Sequence, residues 1–334
     1  MGLIIGGIDI LRQLCDVKIQ AVHLGNIFLY AKHKGMDEEI LRSKLNDGRV
    51  DVCNEESFIS STDYLTAFET LADYCNDPFF GLHYGFFLNI KSLGFITTLS
   101  CQTVNIEQAV LIVQHYLQYS FPIIELEAKR EKGKYILTLK YNSTDEMVRK
   151  HIADTVFCFI YRELILMLPA KTTIYLACPN GNTTEYAKFF TQETVLKKNH
   201  VIFFDDNILN QLINQKTARE VDILLPHFLK MLDKEKEGYK PFSVRVRNMT
   251  LNMCHPELPT FEQVCSQFNY SQRTIQRKLA DEDITFRKIA DDIKKELHIY
   301  LTTGNSMKTQ DIAYTLGYSE SSAYLHAVKR WKFN

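Results

Sequence analysis

An internal repeat at a separation of 48 residues limits what the last third of this chain can fold into. The stretch FEQVCSQFNYSQRTIQRKL (261–279) is echoed by TQDIAYTLGYSESSAYLHAVK (309–329), with apolar, turn-forming and serine positions in the same places. In both copies the apolar residues have helical spacing on either side of the turn. The repeat therefore predicts two units, each made of a short amphipathic helix, a turn and a second helix.

Residues suited to turns and helix starts stand at matching positions of the two copies. Asn269 and Gly317 are the residue types that adopt a positive φ at least cost, and each stands where the turn is expected. Ser271 and Ser319 follow two residues later, where the N-cap of the second helix belongs. Both copies therefore carry their own local signals for the same fold.

A long helix is predicted between the two copies. Thr285 is placed to cap it, Gly304 stands just beyond its expected end, and Thr260 and Gln263 form a capping box for the helix before it. A helix of this length holds two units at the fixed separation needed to read successive major-groove faces, roughly 34 Å apart. Its apolar residues form one buried stripe: Phe286, Ile289, Ile293, Leu297 and Tyr300.

These residues carry a family resemblance. From about Phe242 to Trp331 the chain resembles the AraC/XylS family of bacterial transcription regulators, through FEQVCSQFNYSQRTIQRKLADEDITFRKIADDIKKELHIYL and QDIAYTLGYSESSAYLHAVKRW. The resemblance implies an all-α DNA-binding domain with helix-turn-helix units at about 260–280 and 308–331. It further implies that the second helix of each unit enters the major groove, with these residues facing DNA: Arg273, Gln276, Arg277, Ser321, Ser322, Leu325 and His326.

The chemistry of the first unit suits base recognition. Arg273, Gln276 and Arg277 lie on the helix face opposite Ile275 and Leu279, and Arg pairs with guanine and Gln with adenine through two hydrogen bonds each. An ordinary solvated helix face is the alternative. The second unit is poorer in such groups, so we expect it to contribute mainly backbone contacts through Lys329, Arg330 and Lys332.

The chain departs from the family pattern in three places. Asp283 stands at a usual glycine, Val328 at a usual phenylalanine, and the sequence ends at Asn334, where the family continues into a closing helix. We therefore expect the second unit to be less completely packed: either the sequence is that of a truncated product, or its DNA binding is weakened.

The N-terminal part shows a mixture of helix and strand patterns. Helices are expected at about 35–45, 64–75, 105–119 and 146–168, the last ended by Pro169, and strands at 123–130, 135–141, 172–178 and 201–204. The stretches DPFFGLHYG (77–85) and LGFITTLSCQTVNIEQAVLIVQHYLQY (93–119) resemble the arabinose-binding-like effector domain of one AraC subgroup. The resemblance implies a small-molecule effector, and the apolar and aromatic content favours an apolar one.

A buried arginine is costly unless it is paired, so Arg162 within FCFIYRELILML needs a partner. It either pairs with Glu163 or a neighbour, or it binds a carboxylate-bearing effector. His83, Tyr84 and Tyr161 are further effector-binding candidates, with core packing as the alternative for the first two.

Composition sets the remaining expectations. From Pro241 onward there are 13 basic and 10 acidic residues, against 26 and 30 before it, which favours a polyanion-binding module at the C-terminal end. The eight cysteines form no CxxC pair and the ten histidines are dispersed, so we expect no metal and no cofactor. Without a basic leader or a long apolar run, a cytoplasmic protein that does not span the membrane is expected.

The sequence thus predicts an α+β effector-sensing and dimerisation domain (1–225), with helices around a small, mainly antiparallel sheet. A linker (226–241) and an all-α DNA-binding domain (242–334) follow. We expect a homodimeric, effector-controlled regulator that binds double-stranded promoter DNA and is not an enzyme. One alternative is a DNA-binding-deficient regulator that acts by protein–protein interaction. A remote one is a DNA-repair methyltransferase, whose acceptor motif Pro-Cys-His-Arg would have to be the differently ordered Met253, Cys254, His255, Pro256.

Overall fold

The computed structural model describes residues 17–52, 54, 56–88, 103, 105–141, 147–169, 172–179, 184–190, 192, 194–211, 224, 227, 231, 241–254, 258–268, 270–304 and 308–332. The chain divides into two compact units. Unit 1 comprises Met1–Leu88 with Ser92–Gln215, and unit 2 comprises Asn89–Lys91 with Lys216–Asn334. The predicted linker at 226–241 lies almost wholly outside the described residues, so the predicted domain boundaries stay a prediction.

Unit 1 is a mixed helical and β structure. Its helices are α1 (Ala21–Lys34), α2 (Glu38–Arg42), α3 (Ser61–Cys75), α4 (Phe80–Phe87), α5 (Ile106–Ser120), α6 (Ala153–Met167) and α7 (Thr184–Ala187). Its strands are β1 (Lys18–Gln20), β2 (Phe58–Ser60), β3 (Glu125–Glu131), β4 (Lys134–Lys140), β5 (Tyr175–Cys178), β6 (Thr194–Leu196) and β7 (Val201–Asp205). A π-helical turn, Val148–Ile152, leads into α6.

The larger sheet has the strand order β3-β4-β7-β5-β6. Its neighbouring strands are antiparallel except β5 and β6, which are parallel. The β3–β4 hairpin turns at Lys132 and Gly133, which have φ values of 51° and 75°, because a tight hairpin needs positive φ in its turn. Tyr135, Leu137 and Leu139 alternate along β4 and are buried. The predicted mixed fold with a small, mainly antiparallel sheet is confirmed.

Two helices of unit 1 cross with their backbones in near contact. A Cβ atom on Gly81 of α4 would lie 2.0 Å from the carbonyl oxygen of His151, and one on Gly85 would lie 2.8 Å from the Cβ of Cys158. The Thr155 hydroxyl of α6 donates to the carbonyl oxygens of His151 (2.9 Å) and Gly81 (3.1 Å). Glycine at both α4 positions is therefore what permits this crossing.

The start of unit 1 differs from the prediction. A helix is expected over 35–45, but only α2 (Glu38–Arg42) is helical there. Gly35 has a φ of 86° and ends α1 with the amide N–H donating to the carbonyl oxygens of Ala31 and Lys32. The sequence pattern missed α1, whose buried face includes the polar Asn26 among apolar residues.

The described part of unit 2 contains helices and no strand. They are α8 (Phe242–Asn252), α9 (Phe261–Ser266), α10 (Gln272–Ala280), α11 (Phe286–Gly304), α12 (Thr309–Thr315) and α13 (Ser321–Lys332). The predicted long helix is α11, and Thr285 caps it by accepting a hydrogen bond from the amide of Lys288. Gly304 is its last residue rather than the residue beyond it.

The buried stripe of α11 is shifted slightly from the predicted one. Ile289, Ile293 and Leu297 are buried as expected, whereas Phe286 and Tyr300 are only half-buried. Leu301, which the prediction missed, is fully buried and extends the stripe by one turn. The stripe therefore follows the i, i+4 rows of the helix at its C-terminal end.

Candidate nucleic-acid interface

Helix α10 presents the predicted basic and amide side chains to solvent. Ser271 caps it by accepting a hydrogen bond from the Thr274 amide, which confirms the predicted N-cap. Ile275 and Leu279 are buried on one face. The opposite face exposes Arg273, Gln276 and Arg277.

The helix preceding α10 is fixed by a capping box. Thr260 accepts from the Gln263 amide at 3.2 Å, and the Gln263 side-chain oxygen accepts from the Thr260 amide at 2.8 Å. Val264 and Cys265 are buried on the inner side of this short helix. The predicted helix start is confirmed, while Asn269 in the following turn lies outside the described residues.

Helix α10 ends in a left-handed cap at Asp283. Its φ is 55°, the amide of Asp283 donates to the Ala280 carbonyl, and the amide of Ile284 donates to the Leu279 carbonyl. These two bonds form a Schellman motif, whose C′ position favours glycine. Where the family usually has a glycine, this chain therefore has an aspartate in the left-handed backbone conformation.

Glu282, next to that cap, ties α10 to α8. Its carboxylate accepts hydrogen bonds from the amides of Phe242 (2.6 Å) and Ser243 (2.9 Å), the first residues of α8. The hydrogen bond with the Ser243 side chain, assisted by these two amides, lowers the pKa of Glu282. The sequence gives no signal for this capping residue, because 39 or more residues separate it from the helix it caps.

The second copy of the repeat forms its turn at a left-handed glycine. Gly317 has a φ of 74°, and Gly317 and Tyr318 donate to the carbonyls of Tyr314 and Ala313 in a second Schellman motif. The predicted role of Gly317 is confirmed. Ser319, however, does not directly precede the next helix, because α13 begins at Ser321 after Glu320.

Helix α13 exposes most of the residues predicted to face DNA. Ser322, His326 and Lys329 are exposed, Leu325 is 47% exposed and Ser321 is half-buried. The Ser322 hydroxyl donates to the Glu320 carboxylate at 3.0 Å. This face therefore carries fewer guanidinium and amide groups than α10.

Helix α13 is anchored on α11 by buried polar contacts. The Trp331 indole N–H donates to Asp291 at 3.0 Å, and the Tyr324 hydroxyl bonds with Nδ1 of His298 at 2.7 Å. Tyr324, Ala327 and Trp331 are all buried. Arg330, predicted to contact the DNA backbone, forms an ion pair with Asp291 at 2.9 Å. Within the described residues α13 is thus a packed helix, contrary to the expectation of loose packing.

The effector-binding candidates of unit 1 do not meet in one place. His83 bonds through Nδ1 to Asp77 (2.5 Å) and through Nε2 to Glu185 (2.7 Å). Burial lowers the pKa of His83, but the hydrogen bonds and negative charges of Asp77 and Glu185 outweigh burial and raise it above its usual value. His83 thus links α4 to α7 as an imidazolium bonded at both nitrogens.

The other three candidates lie on α4 and α6. Arg162 donates to the carbonyl oxygens of Phe86 (3.2 Å) and Leu88, at the C-terminal end of α4 where a cation is favoured. Tyr161 donates to the side-chain oxygen of Gln192 at 2.7 Å. Tyr84 lies in the lining of a small cavity between helices of unit 1.

Other chemistry is sparse in the described part of the chain. No group of three His, Cys, Asp or Glu side chains is arranged there to hold a metal ion, and no helix there is long and apolar enough to cross a membrane. The Cys254 thiol is buried and donates to the Thr250 carbonyl at 3.2 Å.

The family and the proteins that this chain resembles are described as transcription regulators. The family described as the arabinose-binding domain of AraC transcription regulators, N-terminal, matches residues 48–212. The HTH-type transcriptional regulator VqsM of Pseudomonas aeruginosa is 24% identical over 264 residues, which cover 75% of this chain and 80% of that protein. The ornithine utilization regulator of the same organism is 23% identical over 269 residues, 77% of each chain.

Two further matches are more limited. An HTH-type transcriptional regulator of Mycobacterium tuberculosis is 33% identical over 73 residues, 22% of this chain and 21% of that one. The crystal structure of the transcriptional regulator CdpR from Pseudomonas aeruginosa covers 94% of this chain and 96% of its own at 15% identity. Its TM-score of 0.42 is too low to establish a shared fold.

Proposed function

We propose that the chain is a transcriptional regulator of the AraC type with an arabinose-binding-like N-terminal domain, and that it acts by binding specific double-stranded promoter DNA. The DNA-binding domain is 242–334, and its two helix-turn-helix units are α9–α10 and α12–α13. The observation that carries this proposal is the exposed face of α10, where Arg273, Gln276 and Arg277 stand opposite the buried Ile275 and Leu279.

Base reading falls mainly to α10. Each arginine can donate two hydrogen bonds to a guanine, and Gln276 can pair with an adenine in the same way. Nearby, Lys278 lies over the rings of Phe242 (5.5 Å) and Tyr270 (5.0 Å). Together with the buried Ile275 and Leu279, these contacts position α10 on its own unit, as recognition requires.

Helix α13 supplies the second contact. Lys329 pairs with phosphate, Leu325 meets a thymine methyl, and Ser321, Ser322 and His326 add polar contacts to DNA. Helix α11 spans 19 residues, or about 28 Å at 1.5 Å per residue. That length is comparable to one turn of DNA, which supports binding of α10 and α13 to successive major-groove faces.

The remaining parts of the proposal concern control. Unit 1 binds a small-molecule effector and mediates homodimerisation, and the effector changes promoter occupancy. We further propose that the protein acts in the cytoplasm and is not an enzyme. The alternative is a DNA-binding-deficient regulator acting through a protein partner, which the weaker chemistry of the α13 face favours.

Selection from a random duplex pool with the full chain tests the proposal. The selected duplex should bind more tightly than a scrambled one, with log affinity falling linearly against log salt. Arg277→Ala should weaken the selected duplex by roughly 5- to 150-fold, the ~1–3 kcal/mol of one bidentate contact, and leave the scrambled duplex nearly unchanged. Lys329→Ala should weaken both and reduce the salt slope by about 0.9.

Lys129→Ala is the matched control, because it removes a positive charge from an exposed residue of the β3–β4 hairpin in unit 1. It should leave binding unchanged. If the double variant Arg273→Ala, Arg277→Ala still prefers the selected duplex to the scrambled one, the assignment of base reading to α10 is contradicted. If the folded chain enriches no duplex from the pool, the result favours the alternative of a regulator that acts through a partner protein.

A further inference from the structure

The apolar face of α10 is narrow. Its buried residues are Ile275 and Leu279, which stand four positions apart on one row of this nine-residue helix. An amphipathic helix usually buries roughly three to four apolar residues in every two turns. A single row of two side chains fixes where the helix lies but not its rotation about that row. The direction in which Arg273 and Arg277 point therefore depends on contacts made outside the row.

The first residues of α8 supply contacts of this kind. The Glu282 carboxylate, just beyond the end of α10, accepts hydrogen bonds from the amides of Phe242 (2.6 Å) and Ser243 (2.9 Å). The Lys278 ammonium of α10 lies 5.5 Å from the centre of the Phe242 ring. Both contacts are made at the C-terminal end of α10, and Arg277 belongs to the last turn of that helix. This end of α10 is therefore bonded to the start of α8.

Glu282 provides α8 with a cap that its own sequence lacks. The residue before α8 is Pro241, whose side chain forms no capping hydrogen bond. Each carboxylate oxygen of Glu282 bonds to a different amide, Oε1 to that of Phe242 and Oε2 to that of Ser243. A glutamine side chain has one acceptor oxygen, so it cannot accept from both amides through separate oxygens. The carboxylate is therefore required for the full contact.

We propose that Glu282 is a positioning residue for base reading, which fixes the rotation of α10 against α8 so that Arg273 and Arg277 face the base edges. This role rests on the proposed function, because it requires that α10 reads DNA. The expected effect of removing the carboxylate is opposite to that of its charge alone. A negative charge near DNA repels phosphate, so its loss by itself strengthens binding to any duplex, most of all at low salt. Loss of the contact with α8 instead weakens binding to the selected duplex.

The test measures the affinity of the full chain for the selected and the scrambled duplex by fluorescence anisotropy. Glu282→Gln should weaken binding to the selected duplex about threefold or more, because an α10 that is not anchored adopts the reading orientation less often. Binding to the scrambled duplex should be no weaker than in the wild-type chain, because it does not depend on that orientation.

Asp283→Asn is the matched control. It removes the same charge from the next residue, whose carboxylate forms no hydrogen bond within the described part of the chain. Asparagine also tolerates the φ of 55° at this position. This variant should bind the selected duplex at least as tightly as the wild-type chain does. If Glu282→Gln binds the selected duplex as tightly as Asp283→Asn does, the proposal is overturned.

A second substitution separates positioning of α10 from simple capping of α8. Pro241→Ser gives α8 a local N-cap that accepts from the Val244 amide and forms no bond to α10. Added to Glu282→Gln, it should restore the urea midpoint of unit 2, read from Trp331 fluorescence, but not the preference for the selected duplex. If that preference returns as well, Glu282 only caps α8 and the proposal is refuted.

The wild-type chain and Arg277→Ala separate failure of this role from failure of the proposed function. If the wild-type chain does not prefer the selected duplex, the proposed DNA recognition itself is wrong. If the preference is lost in Arg277→Ala but complete in Glu282→Gln, base reading by α10 stands and the positioning role of Glu282 is rejected.

Discussion

Substituting Gly81 with alanine should destabilise unit 1 by about 3 kcal/mol or more. The new Cβ would lie 2.0 Å from the carbonyl oxygen of His151 and 2.5 Å from its Cα, both backbone atoms of the neighbouring π-helical turn. An ordinary carbon–oxygen contact is about 3.3 Å, so the two helices would have to separate by roughly 1.3 Å. Overpacking by one methyl group typically costs ~1–3 kcal/mol, and the absence of any movable side chain places this site at the upper end.

The assay is urea unfolding of the full chain, followed by far-UV circular dichroism and by tryptophan fluorescence. Trp331 is the single tryptophan and lies in unit 2, so its fluorescence reports that unit. The Gly81→Ala chain should lose circular dichroism at lower urea concentration. The fluorescence transition should stay where it is in the wild-type chain.

Gly35→Ala is the matched control. Gly35 has a φ of 86° but nothing within 4 Å of a new Cβ, so its substitution costs only the left-handed conformation, about 1–2 kcal/mol. Gly85→Ala should fall between the two, since its nearest contacts are 2.8–3.0 Å. A Gly81→Ala chain no less stable than the Gly35→Ala chain would refute the reasoning.

Three further predictions concern stability, each read from urea midpoints. Gly317→Ala should cost unit 2 about 1–2 kcal/mol through its φ of 74°, and an unchanged fluorescence midpoint would contradict this. Asp291→Ala should cost about 1–3 kcal/mol by leaving the Trp331 indole N–H without an acceptor, and a wild-type midpoint would show that the bond contributes nothing. The pKa of His83 is raised, so the stability that its protonated form contributes to the folded chain is complete below pH ~6.5 and is lost as pH rises through the raised pKa. The urea midpoint of the wild-type chain should therefore decline on the alkaline side, whereas that of His83→Gln should not.

The parts of the fold that sequence could predict are those with local signals. The capping box at Thr260, the caps at Ser271 and Thr285, and the Gly317 turn each involve residues within a few positions of one another. The β3–β4 hairpin is similarly local, since its turn and strand alternation are adjacent in the chain. The exposed face of α10 follows from the same helical periodicity.

Contacts between distant residues could not be predicted in this way. Glu282 caps α8, Asp291 holds Trp331, and both pairs are separated by about 40 residues. No periodic pattern encodes which charged residue of a solvated face will turn inward to a partner. The effector candidates illustrate the same point, because Glu185, which bonds to His83, and Phe86, whose carbonyl accepts from Arg162, lie 102 and 76 residues away from them.

The crossing at Gly81 and Gly85 also limits how the core of unit 1 can rearrange. Where backbone meets backbone there is no rotamer to change, so neither α4 nor the helical segment that it crosses can shift without displacing the other. The Thr155 hydroxyl, which donates to the carbonyl oxygens of His151 and Gly81, ties the two segments together at the same point. The crossing is therefore a fixed point of unit 1, about which its other helices can adjust only by changes in their own side chains.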